Sequence, residues 1–305
     1  MQSHGFANAD NPKLIVDQPR DKGAASDTLG DPAGVRANVY LANDQSATVG
    51  AVDYHGEKAR TAENQGLFKT GLALENVSLW TYDASASMWQ TIGRTQTDSE
   101  GDYDLPMTGF TAPNGQPVYA MLEADGSCAA HYDYLFPKGT KVVVTDIDGT
   151  LTTSDGEMIM QLVDGSYTPA MMMAANTMVQ TWAKKGYAVI YLTARPHLFR
   201  AETRSWLDQE SFPNGAVITA NTGSEAAAYK TVWMKRIIND FGWTVAAAYG
   251  NAETDIAAYA AAGVPTDLTF IVGPYGGESG TVAIANNDFT AHIASFIDAQ
   301  PDIVK

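Results

Sequence analysis

The sequence predicts a two-domain chain in which an all-β sandwich precedes a parallel α/β sheet. Three observations carry that prediction. The 305 residues exceed the usual size of a single hydrophobic core, while their 45% apolar content is ample for packed domains and excludes wholesale disorder. Up to Lys138 the apolar residues fall in short, alternating runs rich in β-branched and aromatic types. Beyond Pro137 they fall in continuous blocks of strand length, separated by stretches of helical length.

Residues 1–33 are rich in Asp, Asn, Gly, Ser and Ala, show no period, and end near the breaker Gly30-Asp31-Pro32, so they are expected to form a flexible tail. They contain no apolar signal core; the chain is either not exported or exported with its presequence already removed. From 34 to 138 the runs 35–41, 74–82 and 118–123 alternate with period two, and Pro113-Asn114-Gly115 and Asp125-Gly126-Ser127 mark turns between strands. The stretch 97–105 resembles a hairpin of immunoglobulin-like or transthyretin-like accessory domains, and this domain is expected to be a sandwich, immunoglobulin-like first of all. Asp98, Glu100, Asp102 and Asp104 alternate along it; they read as a solvated hairpin in preference to a Ca²⁺ site.

The third segment, 139–305, changes grammar. Five apolar blocks, 142–145, 188–192, 216–219, 245–249 and 268–272, alternate with helical stretches at about 169–185, 197–210, 224–241 and 252–262. Such alternation predicts a parallel sheet with right-handed crossovers, whose ligands bind beyond the carboxyl ends of the strands. Those ends carry the polar residues of interest. The first block runs into Asp146-Ile147-Asp148-Gly149-Thr150. Two acids that close at a strand end need a cation, and Mg²⁺ suits few carboxylates plus water and phosphate oxygens. A calcium loop fits worse: Glu157 stands at its twelfth position, but its sixth is Leu151 where glycine is required. The second block ends in Thr193-Ala194-Arg195-Pro196, a hydroxyl followed by a helix start that favours an anion. Lys230 follows the third, with Lys235 as a competitor, and the fourth delivers Asn251 and Asp255, four residues apart across a turn into a helix. Taken singly, the Thr and the final acids are ordinary caps and the Lys an ordinary surface residue.

In series they resemble the four motifs of the haloacid-dehalogenase-like phosphohydrolases, which implies a Rossmann-like sheet. The stretch Thr145–Asp155, with Tyr191–Pro196, 248–255 and 263–272, resembles more narrowly the domain of lipins, Mg²⁺-dependent phosphatidate phosphatases, and its relative in phosphatidylinositol-transfer proteins of the Nir/RdgB type. The resemblance spans about half the chain, 139–280. It implies Asp146 as nucleophile, forming an aspartyl-phosphate, and Asp148 as acid and then base. It implies Thr193 and Lys230 on the phosphate oxygens, Mg²⁺ on Asp146, the Asp148 carbonyl and Asp255 or Asn251, and Gly149, Thr150, Ala194 and Arg195 lining the substrate. Lipins also carry an immunoglobulin-like domain.

Spacing leaves room for no large cap, since 152–186 holds one helix and 196–230 a helix and a strand, so the mouth is expected to be open. The substrate class expected is a phosphate ester, first of all phosphatidate converted to diacylglycerol at a peripheral membrane contact. The alternatives are a soluble phosphate ester and a non-catalytic phosphatidate-binding module. Composition bears on these. One cysteine, Cys128, excludes an internal disulfide framework, and no apolar run is long enough to span a membrane. An excess of 35 acids over 19 bases, with a net charge of -16, argues against nucleic acid and against charge-driven residence on anionic lipid. Eight of the ten Lys and Arg beyond residue 140 nevertheless lie between Lys184 and Arg236, against four acids, a local excess that either draws an anion or is plain helix surface. Met158, Met160 and Met171 to Met173 line either an acyl groove or a core, and His197 beside the second motif is by default a surface residue. The sequence sets no oligomeric state.

Overall fold

A computed structural model describes the strands Ala37–Leu41, Ala47–Val49, Val52–Tyr54 and Gly56–Glu63, and residues 74, 76–99, 102–106, 116–123, 128–134, 136, 138–157, 159–160, 167–196, 200–220 and 226–303. His197, Glu100 and Met158 fall outside the described residues, as does the predicted tail. The chain divides into two compact units, one of Met1–Ala47 with Asp53–Leu135 and one of Phe136–Lys305 with Thr48–Val52.

The strands before Leu135 are β1 (Ala37–Leu41), β2 (Ala47–Val49), β3 (Val52–Tyr54), β4 (Gly56–Glu63), β5 (Asn76–Asp83), β6 (Met88–Gln96), β7 (Asp102–Pro106), β8 (Gln116–Leu122) and β9 (Cys128–Asp133). Thr48–Val52 groups with the second unit, and in the first β1, β4 and β7, like β5, β6, β8 and β9, pair antiparallel. The nine strands form sheets in the orders β1-β4-β7, β2-β3 and β6-β5-β8-β9. Alternation predicts one wet face for β5, yet Val77, Ser78, Leu79, Trp80 and Thr81 are all buried. β5 is an inner strand, and Ser78 is accommodated because its hydroxyl oxygen accepts the Trp80 indole N–H at 2.9 Å.

The second unit is the parallel α/β sheet. Strands β10 (Lys141–Thr145), β11 (Ala188–Pro196), β12 (Ala216–Ala220), β13 (Thr244–Gly250), β14 (Thr269–Ile271) and β15 (Val282–Ala283) take the order β12-β11-β10-β13-β14-β15. The connections carry α1 (Ala175–Lys184), α2 (Arg200–Gln209), α3 (Ala226–Lys235), which runs on as a wide turn Arg236–Asp240, and α4 (Glu253–Ala261). Each forms on a visible stripe. In α1 the buried residues are Ala175, Met178, Val179 and Trp182, the i, i+3, i+4, i+7 spacing of one helical face. The two-residue, exposed β15 and the closing helix Thr290–His292 with its extension Ile293–Ile297 lie beyond the sequence expectation, which the brevity of each element explains. No helix among the described residues is long and apolar enough to cross a membrane.

Strand order places the switch between outgoing directions at β10: the chain builds outward to β11 and β12, then returns to β13 on the other side. Register aligns the strand ends, Thr145 pairing with Tyr191 on one side and Tyr249 on the other. Residues just past these three positions are therefore neighbours. The core beneath them is aromatic, with Trp182, Trp206, Tyr249, Phe270 and Phe289 fully buried. It is also hydrogen-bonded: the Trp182 N–H donates to the Tyr249 hydroxyl at 2.8 Å, which lies 2.9 Å from His292 Nε2. The hydroxyl thus links the indole and the imidazole in one buried chain. Burial pushes the His292 pKa down to about 4.

Candidate functional site

Asp146 follows β10 directly, its N–H bonded to the Tyr249 carbonyl at 3.0 Å, so the strand ladder itself fixes where the carboxylate stands. It is 4% exposed. Its Oδ1 pairs with Lys230 Nζ at 2.7 Å, and its Oδ2 accepts the Thr150 hydroxyl at 3.2 Å. Lys230 also donates to Asp255 Oδ1 at 2.6 Å. Asp255 Oδ2 in turn accepts the N–H groups of Asn251 and Ala252, at 3.0 and 3.2 Å, which fastens the acid to the start of α4. The approach of strand to helix is tight: a Cβ on Gly250 would fall 2.5 Å from Asp255 Cβ.

One ammonium between two buried carboxylates leaves the trio one negative charge in excess. Burial pushes the Asp146 carboxyl up to about 7, against the pull of Lys230 and with the Asp255 and Asp148 charges adding to the rise. Burial alone would lower the pKa of the Lys230 ammonium, but its two acid partners outweigh that and hold it above the usual lysine value. Lys235, the competing lysine, is exposed. The helix phase distinguishes them: Lys230 shares a buried face with Trp233, Met234 and Ile237, spaced by three, four and seven.

Asp148 stands in different company. Arg195 holds it in a fork, Nε at 2.8 Å from Oδ2 and NH2 at 2.7 Å from Oδ1, and the Thr193 hydroxyl lies 3.4 Å from Oδ2. The register of β11 against β12 slips between Leu192 and Pro196, and the residues in that irregularity are the ones that reach Asp148. Arg195 is 2% exposed and its remaining NH1 donates to Thr203 at 3.0 Å, so the whole guanidinium is used within the protein. Ala194, half-buried, offers only main-chain groups. Gly149, at φ +68°, begins the turn that follows, and its N–H donates to Thr152 Oγ1 at 3.0 Å.

Part of the basic excess seen in sequence is taken up inside the fold, while Lys184 and Lys235 are exposed. Lys185 donates to the carbonyls of Asp298 and Gln300, Arg204 to Asn214, and Arg236 lies 4.9 Å over the Trp233 ring. Among the described residues, the cations at the strand ends are Lys230 and Arg195, each already paired with acids. Sequence reasoning gave no role to Glu157, which staples the loop after the first motif: it accepts the Tyr167 hydroxyl at 2.6 Å, the Ala170 N–H at 2.8 Å and the Thr153 hydroxyl at 2.9 Å. Beyond that staple Ile159 and Met160 are 57% and 51% exposed, while Met172 is buried with the core.

Among the described residues no three His, Cys, Asp or Glu side chains form a ready cation cage. The oxygen donors that do converge are one carboxylate and one amide. Thr150 Oγ1 lies 3.2 Å from Asp146 Oδ2 and 3.4 Å from Asn251 Oδ1, so both oxygens border the same hydroxyl. Both Asp255 oxygens are committed to Lys230 and the α4 N–H groups.

Comparison with known proteins places residues 143–273 on the family model described as the LNS2 domain of PITM 1-3. Protein retinal degeneration B of Drosophila melanogaster is 29% identical over 216 residues, covering 70% of this chain and 16% of that protein. Human membrane-associated phosphatidylinositol transfer protein 3 is 28% identical over 194 residues, covering 63% of this chain and 19% of its own length. The chain thus spans less than a fifth of the length of these relatives. A solved phosphoserine phosphatase in its apo form is 14% identical, covers 52% of this chain and 98% of its own, and has a TM-score of 0.38.

Proposed function

We propose that the α/β unit is a phosphatidate-recognising module built on the frame of a lipin-like phosphohydrolase, taking the phosphate monoester with Mg²⁺ beyond the ends of β10, β11 and β13. The antiparallel unit is read as an immunoglobulin-like companion. The observation that carries the proposal is the buried Lys230, shared by Asp146 and Asp255 at 2.7 and 2.6 Å, beside Thr193 at the next strand end. A buried ammonium and a hydroxyl suit a phosphate dianion once a metal balances the acids.

The donor set fits Mg²⁺, a hard ion that takes few carboxylates and keeps several waters. Asp146 Oδ2 and Asn251 Oδ1 would hold it, with the Asp148 main-chain carbonyl as the resemblance implies. Asp255 acts one step out, by fixing Lys230. When bound, the ion supplies Lewis-acid neutralisation of the phosphoryl charge. Similarity to membrane-associated phosphatidylinositol transfer proteins supports a phospholipid headgroup, and the exposed Ile159 and Met160, on the segment leaving the first motif, suit an interface.

Hydrolysis through Asp146 is the second reading, favoured by a specific observation: the presumed nucleophile is present, strand-anchored, and flanked by a lysine and a hydroxyl donor. Recognition is ranked first because Asp148, the acid that turnover needs, has both oxygens in the Arg195 fork. The test is flotation of the full chain with phosphatidylcholine vesicles, with and without phosphatidate, in Mg²⁺ and in EDTA. Alongside it, phosphate release is measured from short-chain phosphatidate and from p-nitrophenyl phosphate. Mg²⁺-dependent flotation on phosphatidate without release supports recognition. Release from phosphatidate that Asp146→Asn abolishes supports the second reading. Release from the soluble ester alone moves the substrate to soluble esters, and the absence of binding and release together refutes all three.

A further inference from the structure

Asp155 lies on the turn beyond the first motif and is exposed, yet its Oδ1 accepts the Asn251 Nδ2–H at 3.0 Å. The backbone makes room for that bond. A Cβ on Gly149 would fall 2.0 Å from Asn251 Nδ2 and 2.6 Å from Asp155 Oδ1, so the amide and the carboxylate meet in space that only glycine leaves free. The φ of +68° at Gly149 asks for glycine independently.

A side-chain amide has two faces of nearly equal shape, and only its oxygen ligates a hard cation. Aspartate at the same position has no wrong way round. Asn251 therefore needs a neighbour that selects its orientation. Thr150 does not, because a hydroxyl 3.4 Å away can donate to an oxygen or accept from an NH₂ equally well. Asp155 does, because an ionised carboxylate only accepts; turning the amide over would set oxygen against oxygen. With Nδ2 drawn to Asp155, Asn251 Oδ1 is left on the side of Asp146 Oδ2, the two oxygens bracketing Thr150 Oγ1.

We propose that Asp155 is a positioning residue that makes Asn251 a metal ligand by fixing which end of its amide faces Asp146. The inference rests on the Mg²⁺ site read above. It assigns the turn a purpose: to let a neutral amide serve where a second carboxylate would add further negative charge to an already anionic trio.

The experiment is calorimetric titration of the full chain with Mg²⁺ alone, with folding of each variant checked by circular dichroism. Asp155→Ala should weaken Mg²⁺ binding about 10- to 100-fold, the usual effect of removing a group that orients a ligand. Asp155→Asn, which keeps an acceptor but can itself turn over, should lose less, and it carries the test if the alanine variant fails to fold. The decisive comparison is made on Asn251→Asp, where no orientation needs selecting: there Asp155→Ala should cost no affinity. Equal losses in the two backgrounds, or wild-type affinity in Asp155→Ala, would overturn the proposal while leaving the metal site intact. Wild-type chain that takes up no Mg²⁺ would overturn the site and the proposal together.

Discussion

Replacing Lys230 by methionine removes one charge and almost no volume, so its effect reports the ion pairs with little cavity contribution. Lys230 and Asp146 are each 4% exposed and Asp255 is fully buried, with contacts of 2.7 and 2.6 Å. Deleting one partner of a buried pair strands the other, at about 3–5 kcal/mol. Here two acids are stranded, so the upper half of that range is expected, a fall of roughly 8–20 °C in melting temperature for a unit of this size. The pH dependence has a definite sign. Burial already holds the Asp146 carboxyl above its unfolded value against the pull of Lys230, so without that counter-ion it favours the folded state below the unfolded value and loses that as pH rises through a still higher folded one. The deficit should be large at pH 8 and smaller at pH 5, read from urea denaturation at both. A loss under about 1 kcal/mol at pH 8, or a larger loss at pH 5 than at pH 8, would refute the assignment of Lys230 as the counter-ion of both acids.

Two other perturbations follow from the same geometry. His292, with a pKa depressed to about 4, binds a proton more readily when unfolded, so stability should decline as pH falls from about 6.5 towards 4, by up to about 3 kcal/mol. His292→Gln keeps a hydrogen-bonding partner for the Tyr249 hydroxyl but cannot titrate; an unchanged pH slope in that variant would assign the effect elsewhere. Gly250→Ala would bring a methyl to 2.5 Å from Asp255 Cβ and should destabilise by about 1–3 kcal/mol in thermal melts, whereas a neutral result would mean that the β13 to α4 turn yields easily.

The positions of the motifs were legible because a strand buried on both faces is an unbroken apolar block, and the first polar residue after it stands out. That contrast points to Asp146, Thr193 and Asn251 only as a series, since each alone reads as an ordinary strand-end or cap residue. Partnerships were less legible. The Arg195 fork joins residues 47 apart and the Asp155 to Asn251 bond residues 96 apart, and no local period encodes either. Lys230 against Lys235 was decidable in principle, since only Lys230 keeps phase with Trp233, Met234 and Ile237. The basic excess left its two readings open, because a charge count cannot tell a guanidinium facing an open crevice from one folded back on a carboxylate. In the antiparallel unit, β5 broke the alternation rule because burial of Ser78 and Thr81 depends on partners that sequence does not reveal.

Retention of both acids in the first motif is a weaker sign of turnover than it looks. A nucleophile and a metal ligand need the same thing of Asp146: a fixed carboxylate beside a lysine, with the strand setting its position. Recognition alone would therefore preserve it. Asp148 separates the two functions, because hydrolysis needs one of its oxygens turned to the leaving group, carrying a proton. The structure turns both to Arg195, which is itself buried and tied to Thr203. Releasing Asp148 would leave a guanidinium with 2% exposure short of its acceptor, a penalty of about 3–5 kcal/mol before any chemistry begins. Binding a headgroup requires no such release. That difference is why the proposed function puts recognition of a phosphate monoester ahead of its cleavage.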